Sequence, residues 1–292
     1  MADLARWTPW EGVALLAAGW LAGSVALRRR RHRVALRHGR LRALRDHRVV
    51  VNGCRIHARV APMAGTTPVV LVHGLGVSGA YFRPTAERLA VDHAVYVPDL
   101  PGHGWSDTPA RALDVPGLAA ALLDWLTAMG IQRAVLVGHS LGCQTVVEAA
   151  LAAPARVSRL VLVGLVPDPA GRDAISLLRR FVWAAAFERP MLAPLVARDY
   201  LRMNRRFFSE FRAMQTHPIE AQLALLRLPI LLVRGEHDAL ISPGWFDTAA
   251  ALTGAATRVI PGWGHAVNHG APEPLVAMIR TFLEETPRCT PS

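Results

Sequence analysis

Short apolar runs that alternate with helix-like stretches constrain the fold of this 292-residue chain more than any other feature. Such an alternation predicts an α/β fold with a mostly parallel sheet, because each parallel strand pair needs a crossover helix that covers one face of the sheet. The predicted strands are PVVLVHG (68–74), HAVYVPDL (93–100), AVLVGHS (134–140), RLVLVGLV (159–166), PILLVRG (229–235) and TRVIPG (257–262).

Two features frame this series of strands. Asn52-Gly53 lies between two β-rich runs and predicts a hairpin before the first parallel strand. Between residues 166 and 229 the alternation breaks, and helical segments rich in Arg, Phe and Met replace it. An insertion between two strands lies above the strand ends. Residues 167–228 are therefore predicted to form a helical lid on a core made of residues 48–166 and 229–285.

Residues 1–47 form a separate leader. Val13–Leu27 is apolar and uncharged, but a helix of this length spans roughly 22 Å, less than a hydrocarbon core of about 30 Å. Arg28–Arg48 then carries ten arginines and one acid, Asp46. We expect residues 7–48 to meet a membrane from its cytoplasmic side. The alternatives are a solvated leader or translation that starts further along the chain; without an anchor the protein is expected in the cytoplasm.

The remaining composition excludes several classes of function. Residues 49–292 carry a net charge of only +3, which gives no indication of nucleic-acid binding. The three cysteines, Cys54, Cys143 and Cys289, are far apart and form no CxxC pair, so neither a zinc site nor a disulfide framework is predicted. Nothing in the sequence predicts the oligomeric state.

The segment Gly138-His139-Ser140-Leu141-Gly142 joins a predicted strand to a predicted helix. Ser140 is either a nucleophile on a sharp turn or only the N-cap of the helix. The flanking glycines favour the nucleophile, since they let the strand and helix approach closely, and the helix N-terminus favours a developing oxyanion. The choice depends on whether other loops supply a base, an acid and an oxyanion site.

Two loops offer these partners. His265 follows the last strand, where this topology places the base, and His269 is its competitor. Asp238 follows the strand at 229–235 and would orient His265; Glu236 and Asp168 are its competitors. The order Ser, Asp, His along the chain is the one expected for this arrangement.

The oxyanion site is predicted where the first parallel strand ends, in His73-Gly74-Leu75-Gly76. The N–H groups of Leu75 and Leu141 are the expected donors, and His73 is expected to orient the backbone of this loop. The residues expected to line the substrate site are His73, Gly74, His139, and Phe181 and Trp183 of the lid.

Five motifs in order, HGLG, DLPGHGWSD, GHSLG, GEHD and GWGH, resemble those of the α/β-hydrolase superfamily over roughly residues 48–285. This resemblance implies an eight-stranded sheet, a Ser-His-Asp triad and a lid, with Asp99 and His103 in structural roles. A serine at position 140 disfavours the haloalkane dehalogenases and epoxide hydrolases of the superfamily, which carry Asp there. The leader is a departure from the family pattern.

Together these observations predict a serine hydrolase that cleaves a lipophilic carboxylic ester through an acyl-enzyme, with no metal or organic cofactor. The partner is expected to be a small-molecule ester. The same triad also supports C–C bond hydrolysis, acyl transfer and cofactor-free peroxidation, and the fold can serve as a ligand receptor without turnover.

Overall fold

The computed structural model describes residues 39, 41–166, 168, 171, 176, 179–180, 183–184, 192–203 and 206–285. The predicted leader segment Val13–Leu27, the predicted lid residue Phe181 and Cys289 lie outside this part of the chain. Among the described residues, none of the helices combines the length and the apolar character needed to cross a membrane.

Eight strands form one sheet in the order β1-β2-β4-β3-β5-β6-β7-β8. The strands are β1 (Arg45–Val51), β2 (Cys54–Ala61), β3 (Val69–Val72), β4 (Val95–Pro98), β5 (Ala134–His139), β6 (Val157–Val163), β7 (Ile230–Gly235) and β8 (Ala256–Ile260). Strand β2 pairs antiparallel with β1 and with β4, and the other pairs are parallel. The prediction of an eight-stranded, mostly parallel sheet is confirmed.

Helices follow most of the parallel strands, as the alternation predicts. They are α1 (Arg83–Leu89), α2 (Val115–Ala128), α3 (Leu141–Ala152), α4 (Ala193–Met203), α5 (Arg206–Thr216), α6 (Ile219–Leu223), α7 (Pro243–Thr253), α8 (Val267–Gly270) and α9 (Pro272–Glu284). Helices α4, α5 and α6 lie in the segment between β6 and β7, where the sequence predicts a lid.

The sheet is buried on both faces because successive residues of its strands point to opposite sides. In β3, Val70 and Val72 belong to the core that α2 and α3 cover, whereas Val69 and Leu71 belong to the core under α1 and α9. Apolar residues at every strand position are what a sheet covered on both faces requires. The hairpin between β1 and β2 also forms at Asn52-Gly53.

The order of the strands brings the predicted motifs to one edge. The chain passes from β3 to β4 on one side and then returns to β5 on the other side of β3. Val72 of β3 pairs with Gly138 of β5, so the loops after these strands leave the sheet side by side. A reversal of this kind opens a crevice at the carboxyl ends of the strands.

The predicted strands overran the observed ones by a few residues. The prediction extended the fourth parallel run to residue 166, but β6 ends at Val163 because Gly164 has a left-handed φ of +53°. The same happens after β3, which ends at Val72 before the His73-Gly74 loop. Strand ends that turn into functional loops keep their apolar character, so composition alone does not mark them.

Candidate active site

Ser140 occupies the turn between β5 and α3 in a strained conformation. Its φ of 54° and ψ of −122° are rare for a residue with a side chain, and such a conformation costs on the order of 1–3 kcal/mol. Backbone hydrogen bonds hold it: the Ser140 N–H donates to the Gly164 carbonyl at 3.0 Å, and the Cys143 N–H donates to the Ser140 carbonyl at 2.8 Å. Its side chain makes no capping hydrogen bond to α3, so the N-cap alternative lacks its defining contact.

The turn has no room for larger residues at the two glycines. A Cβ atom at Gly138 would lie 2.5 Å from the Gly142 carbonyl oxygen. At Gly142, a Cβ would collide with the carbonyl oxygen of Val72 and lie 2.7 Å from that of His73. These contacts involve backbone atoms of neighbouring elements, which cannot swing aside as a side chain can. The glycines therefore set how closely α3 approaches the end of β3.

His265 and Asp238 form a buried pair at the ends of β8 and β7. The Nδ1 atom of His265 lies 2.9 Å from Oδ2 of Asp238, whose carboxylate is fully buried. The other Asp238 oxygen, Oδ1, accepts the Leu240 N–H at 3.0 Å. Because a carboxylate only accepts, Nδ1 of His265 carries the proton, which leaves Nε2 as a lone-pair acceptor. This is the tautomer that a general base for a hydroxyl requires.

The competing residues have other contacts. Glu236 accepts the Gly262 N–H at 2.8 Å, and Asp168 accepts the Ser242 hydroxyl at 2.9 Å. His269 lies with Nδ1 3.2 Å from the Tyr81 carbonyl, and its ring stacks on Tyr81. The geometry therefore selects Asp238 as the carboxylate on His265.

Gly164 brings the serine and the histidine together. A Cβ atom at this position would lie 3.1 Å from the His265 ring, and the Gly164 carbonyl is the acceptor for the Ser140 N–H. The end of β6 thus contacts both residues. Sequence reasoning did not single out Gly164; its only signal is a glycine that follows a buried strand next to the strand carrying the nucleophile.

His139 links the turn to the loop of His265. Its Nε2 donates to the backbone carbonyl of His265 at 3.0 Å, and the two rings lie 4.6 Å apart. Burial, together with the nearby His265, lowers the pKa of His139 well below its ordinary value. His139 is therefore neutral near pH 7, with one N–H, and that N–H is committed to the His265 loop.

The loop after β3 closes the other side of Ser140. A Cβ atom at Gly74 would lie 3.0 Å from Cβ of Ser140, so this loop touches the serine directly. His73 donates from Nδ1 to the Gly74 carbonyl at 2.9 Å and accepts the Leu100 N–H on Nε2 at 2.9 Å. Burial lowers the pKa of His73, which keeps the ring neutral and able to accept.

The two predicted oxyanion donors flank the serine. Leu75 follows Gly74 in the loop after β3, and Leu141 is the first residue of α3. The first N–H groups of a helix have no carbonyl to bind within the helix, so the Leu141 N–H is available to a ligand. Of the predicted lid residues, Trp183 is 63% exposed, which gives no support for a place in the substrate site; Phe181 lies outside the described residues.

The lid helices dock on the core through buried polar contacts that sequence reasoning missed. Asp199 of α4 accepts the Ser78 hydroxyl at 2.7 Å, and both residues are buried. Glu210 of α5 lies with Oε2 3.2 Å from Nε2 of His103, again with both side chains buried. Acidic residues in lid helices usually face solvent, so the sequence carried no signal for these contacts.

The ring of Tyr200, next to Asp199, packs directly on the oxyanion loop. A Cβ atom at Gly76 would lie 2.5 Å from this ring. Tyr200 also contacts the Phe207 ring at 5.2 Å between centroids. Tyr200 thus lies next to the loop that carries Leu75, and Phe207 packs on Tyr200.

The strand order and this arrangement of loops are those of the α/β-hydrolase fold. A family model for the alpha/beta hydrolase fold matches residues 67–205 of this chain. The chain is similar to the pimeloyl-[acyl-carrier protein] methyl ester esterase of Stenotrophomonas maltophilia, with 29% identity over 244 residues that cover 74% of this chain and 92% of that protein.

Two further likenesses extend over most of the chain. An uncharacterised protein of Mycobacterium tuberculosis is 25% identical over 270 residues, which cover 79% of each chain. The crystal structure of a membrane phospholipase A, described as a bacterial virulence factor, superimposes with a TM-score of 0.74 at 24% identity and covers 94% of this chain and 96% of that chain. At this identity the last likeness concerns the fold alone.

Proposed function

We propose that this protein is a serine hydrolase that cleaves a carboxylic ester through an acyl-enzyme on Ser140. The observation that carries the proposal is the buried His265–Asp238 pair next to a strained serine whose side chain caps no helix. A carboxylate-held imidazole near a half-buried serine is the arrangement that nucleophilic acyl transfer needs. The similarity to a methyl ester esterase supports the choice of an ester.

In the proposed mechanism, Oγ of Ser140 attacks the ester carbonyl carbon while Nε2 of His265 accepts the hydroxyl proton. Asp238 stabilises the imidazolium that forms. The N–H groups of Leu75 and Leu141 bind the oxyanion of the tetrahedral intermediate. His265 then gives its proton to the departing alcohol, and a water molecule activated by the same nitrogen releases the acid from Ser140.

A lipophilic acyl group is the substrate class that the surroundings of the site favour. Tyr200 supplies aromatic surface beside the oxyanion loop, and Phe207 packs on the Tyr200 ring. Leu75, half-buried, packs on the apolar core there. Burial of an acyl chain against these residues would stabilise the bound substrate by about 25 cal/mol for each Å² of apolar surface removed from water.

Labelling with a fluorophosphonate tests the nucleophile, and hydrolysis of p-nitrophenyl esters of increasing chain length tests the substrate class. We expect labelling and turnover in the native protein and neither in Ser140→Ala, with turnover rising from short to medium acyl chains. A folded native protein that is neither labelled nor active would contradict the proposal and favour a receptor. Labelling without ester turnover would indicate acyl transfer or another reaction on the same serine.

We also propose that residues 7–48 bind the cytoplasmic face of a membrane. The charge of Arg28–Arg48 supports this proposal, because clustered arginines bind anionic lipid surfaces. Flotation with anionic vesicles would compare the full chain with a chain that lacks residues 1–38, which precede β1. Equal flotation of both would show that residues 1–38 do not anchor the protein to the membrane.

A further inference from the structure

A polar cavity lies at the start of the sheet, and Ser140 is not among the residues that line it. It has a volume of about 390 Å³, and its lining includes Asp46 and Arg48 of β1, His57 and Arg59 of β2, Arg83 at the start of α1, and Trp105. This volume falls within the range of ligand sites in proteins. Neither the proposed reaction nor the relatives' names give this cavity a role.

The cavity has a rigid charged floor. Buried Asp99 binds His57, with its Oδ2 2.8 Å from Nδ1, and Arg59, with its Oδ1 3.2 Å from a guanidinium nitrogen. Asp99 also accepts the backbone N–H groups of Gly79 and Trp105 at 2.7 and 3.0 Å. Since Asp99 is itself fully buried, its bond to one guanidinium nitrogen holds Arg59, which also lines the cavity.

The groups at the cavity wall favour an anionic ligand. Among the described residues, three arginines line the cavity beside the carboxylate of Asp46, while the carboxylates that pair with Arg59 and Arg83, those of Asp99 and Glu87, are buried and are not part of the lining. Asp46 is already paired, with Oδ1 3.0 Å from Nε2 of His57. Glu87 lies behind Arg83 and binds its Nε at 2.9 Å, which leaves the terminal nitrogens of Arg83 for a ligand.

We infer that this cavity binds a phosphate group. Arg48 and Arg59 lie on one face of the β1–β2 hairpin, and Arg83 comes from the start of α1, so arginines reach the cavity from two parts of the fold. A tetrahedral phosphate offers acceptor oxygens in several directions, whereas a carboxylate offers two in one plane, and arginine is the preferred partner of phosphate. The volume exceeds what one phosphate fills, so the ligand is a phosphate ester, and its remaining part lies beside Trp105, one face of whose ring is covered by Arg202. A soluble phosphate ester and a phospholipid headgroup share this chemistry.

Calorimetric titration of the full chain tests the inference, with inorganic phosphate and glycerol 3-phosphate as probes. The variant Arg48→Ala with Arg83→Ala should raise the Kd for both probes roughly tenfold or more, since two charge-assisted contacts are lost. The matched control Arg133→Ala with Arg212→Ala removes two exposed arginines elsewhere and should leave the Kd within about twofold. The arginines of residues 28–45 are present in every variant, so their binding cancels in the comparison.

The variant Asp46→Asn should change the Kd in the opposite direction and tighten the binding of both probes. Removal of the Asp46 carboxylate from the lining should lower the Kd about threefold, because a carboxylate repels an anionic ligand. Co-sedimentation with vesicles of phosphatidylglycerol or of phosphatidylcholine separates the two sources of phosphate. If the native chain binds vesicles but not the soluble probes, and the loss of Arg48 and Arg83 weakens this binding, the ligand is a lipid headgroup. Binding of the soluble probes identifies a free phosphate ester.

The inference is overturned if the native chain binds none of these probes, if the pocket and control variants weaken binding equally, or if Asp46→Asn weakens it. Circular dichroism of each variant establishes that the fold is intact. None of these readouts uses the activity of Ser140, so the result stands whether or not the proposed hydrolase activity is found.

Discussion

His139 donates a hydrogen bond from Nε2 to the backbone carbonyl of His265, so the residue before the serine holds the loop of the proposed base. We expect His139→Phe to keep the ring volume and lose this donor, which would let the imidazole of His265 drift. Small displacements of a catalytic group cost up to about 100-fold in rate. We expect kcat for ester hydrolysis to fall about tenfold with little change in KM, and His139→Gln, which keeps a donor, to recover part of the loss.

Asp238 should matter more than any other acid near the site. We expect Asp238→Asn to lower kcat by about 10⁴-fold, because an amide favours the wrong tautomer of His265. Glu236→Gln, two residues away on the same loop, is the matched control and should retain near-native activity, since Glu236 binds only the Gly262 N–H and lies near His237. Comparable losses in the two variants would mean that Asp238 does not act on His265.

Glu210 should make the docking of the lid depend on pH. Burial raises its pKa to about 7, although Arg206 opposes this, and burial together with nearby His73 lowers the pKa of His103 to about 3. The docked lid therefore retains a proton on Glu210 that an undocked lid loses above about pH 4.5. A raised pKa of this kind stabilises the docked state at low pH, and the stabilisation is lost as the pH rises toward 7.

Urea unfolding at pH 5, 6, 7 and 8 measures this dependence. The free energy of unfolding of the native chain should fall by on the order of 2–3 kcal/mol between pH 5 and 8 relative to that of Glu210→Gln, which cannot ionise. The exposed Glu284→Gln is the control and should follow the native curve. Parallel curves for native protein and Glu210→Gln would rule out a role for this carboxyl.

Neutralisation of the buried Asp99 should lower the free energy of unfolding strongly. Burial alone would raise its pKa, but the His57 hydrogen bond and the Arg59 charge lower it to about 2, so it is ionised at neutral pH. Asp99→Asn would leave Arg59 and His57 without their buried partner, and we expect the free energy of unfolding to fall by about 3–5 kcal/mol.

Asp107→Asn provides the comparison for Asp99, since it breaks an exposed pair with Arg55. Such pairs contribute about 0–1 kcal/mol, so chemical denaturation should barely distinguish this variant from the native chain. Stabilisation retained in native protein above about pH 4 and lost as the pH falls toward 2 would further identify Asp99, because a lowered pKa stabilises the fold only while the group is ionised.

The sheet, the hairpin and the loops around Ser140 could be predicted because local sequence determines them. Apolar runs such as that of β5 are long enough to need burial on both faces, and Asn52-Gly53 defines a turn by itself. The contacts of Asp199 and Glu210 could not be predicted, because each depends on how lid helices settle on residues more than 100 positions earlier. The place of Trp183 in the substrate site, suggested by its aromatic character, stays a prediction; its side chain is 63% exposed.

Gly142 limits how far the sequence of this chain can change. The Cβ of any other residue at position 142 would collide with the backbone carbonyl oxygen of Val72, so every substitution there should destabilise the fold. Arg202, by contrast, reaches the exposed Trp105 ring from the outer surface of α4, where many residues would serve. Sequence change is therefore expected on the exposed face of α4 before it is expected in the turn that holds Ser140.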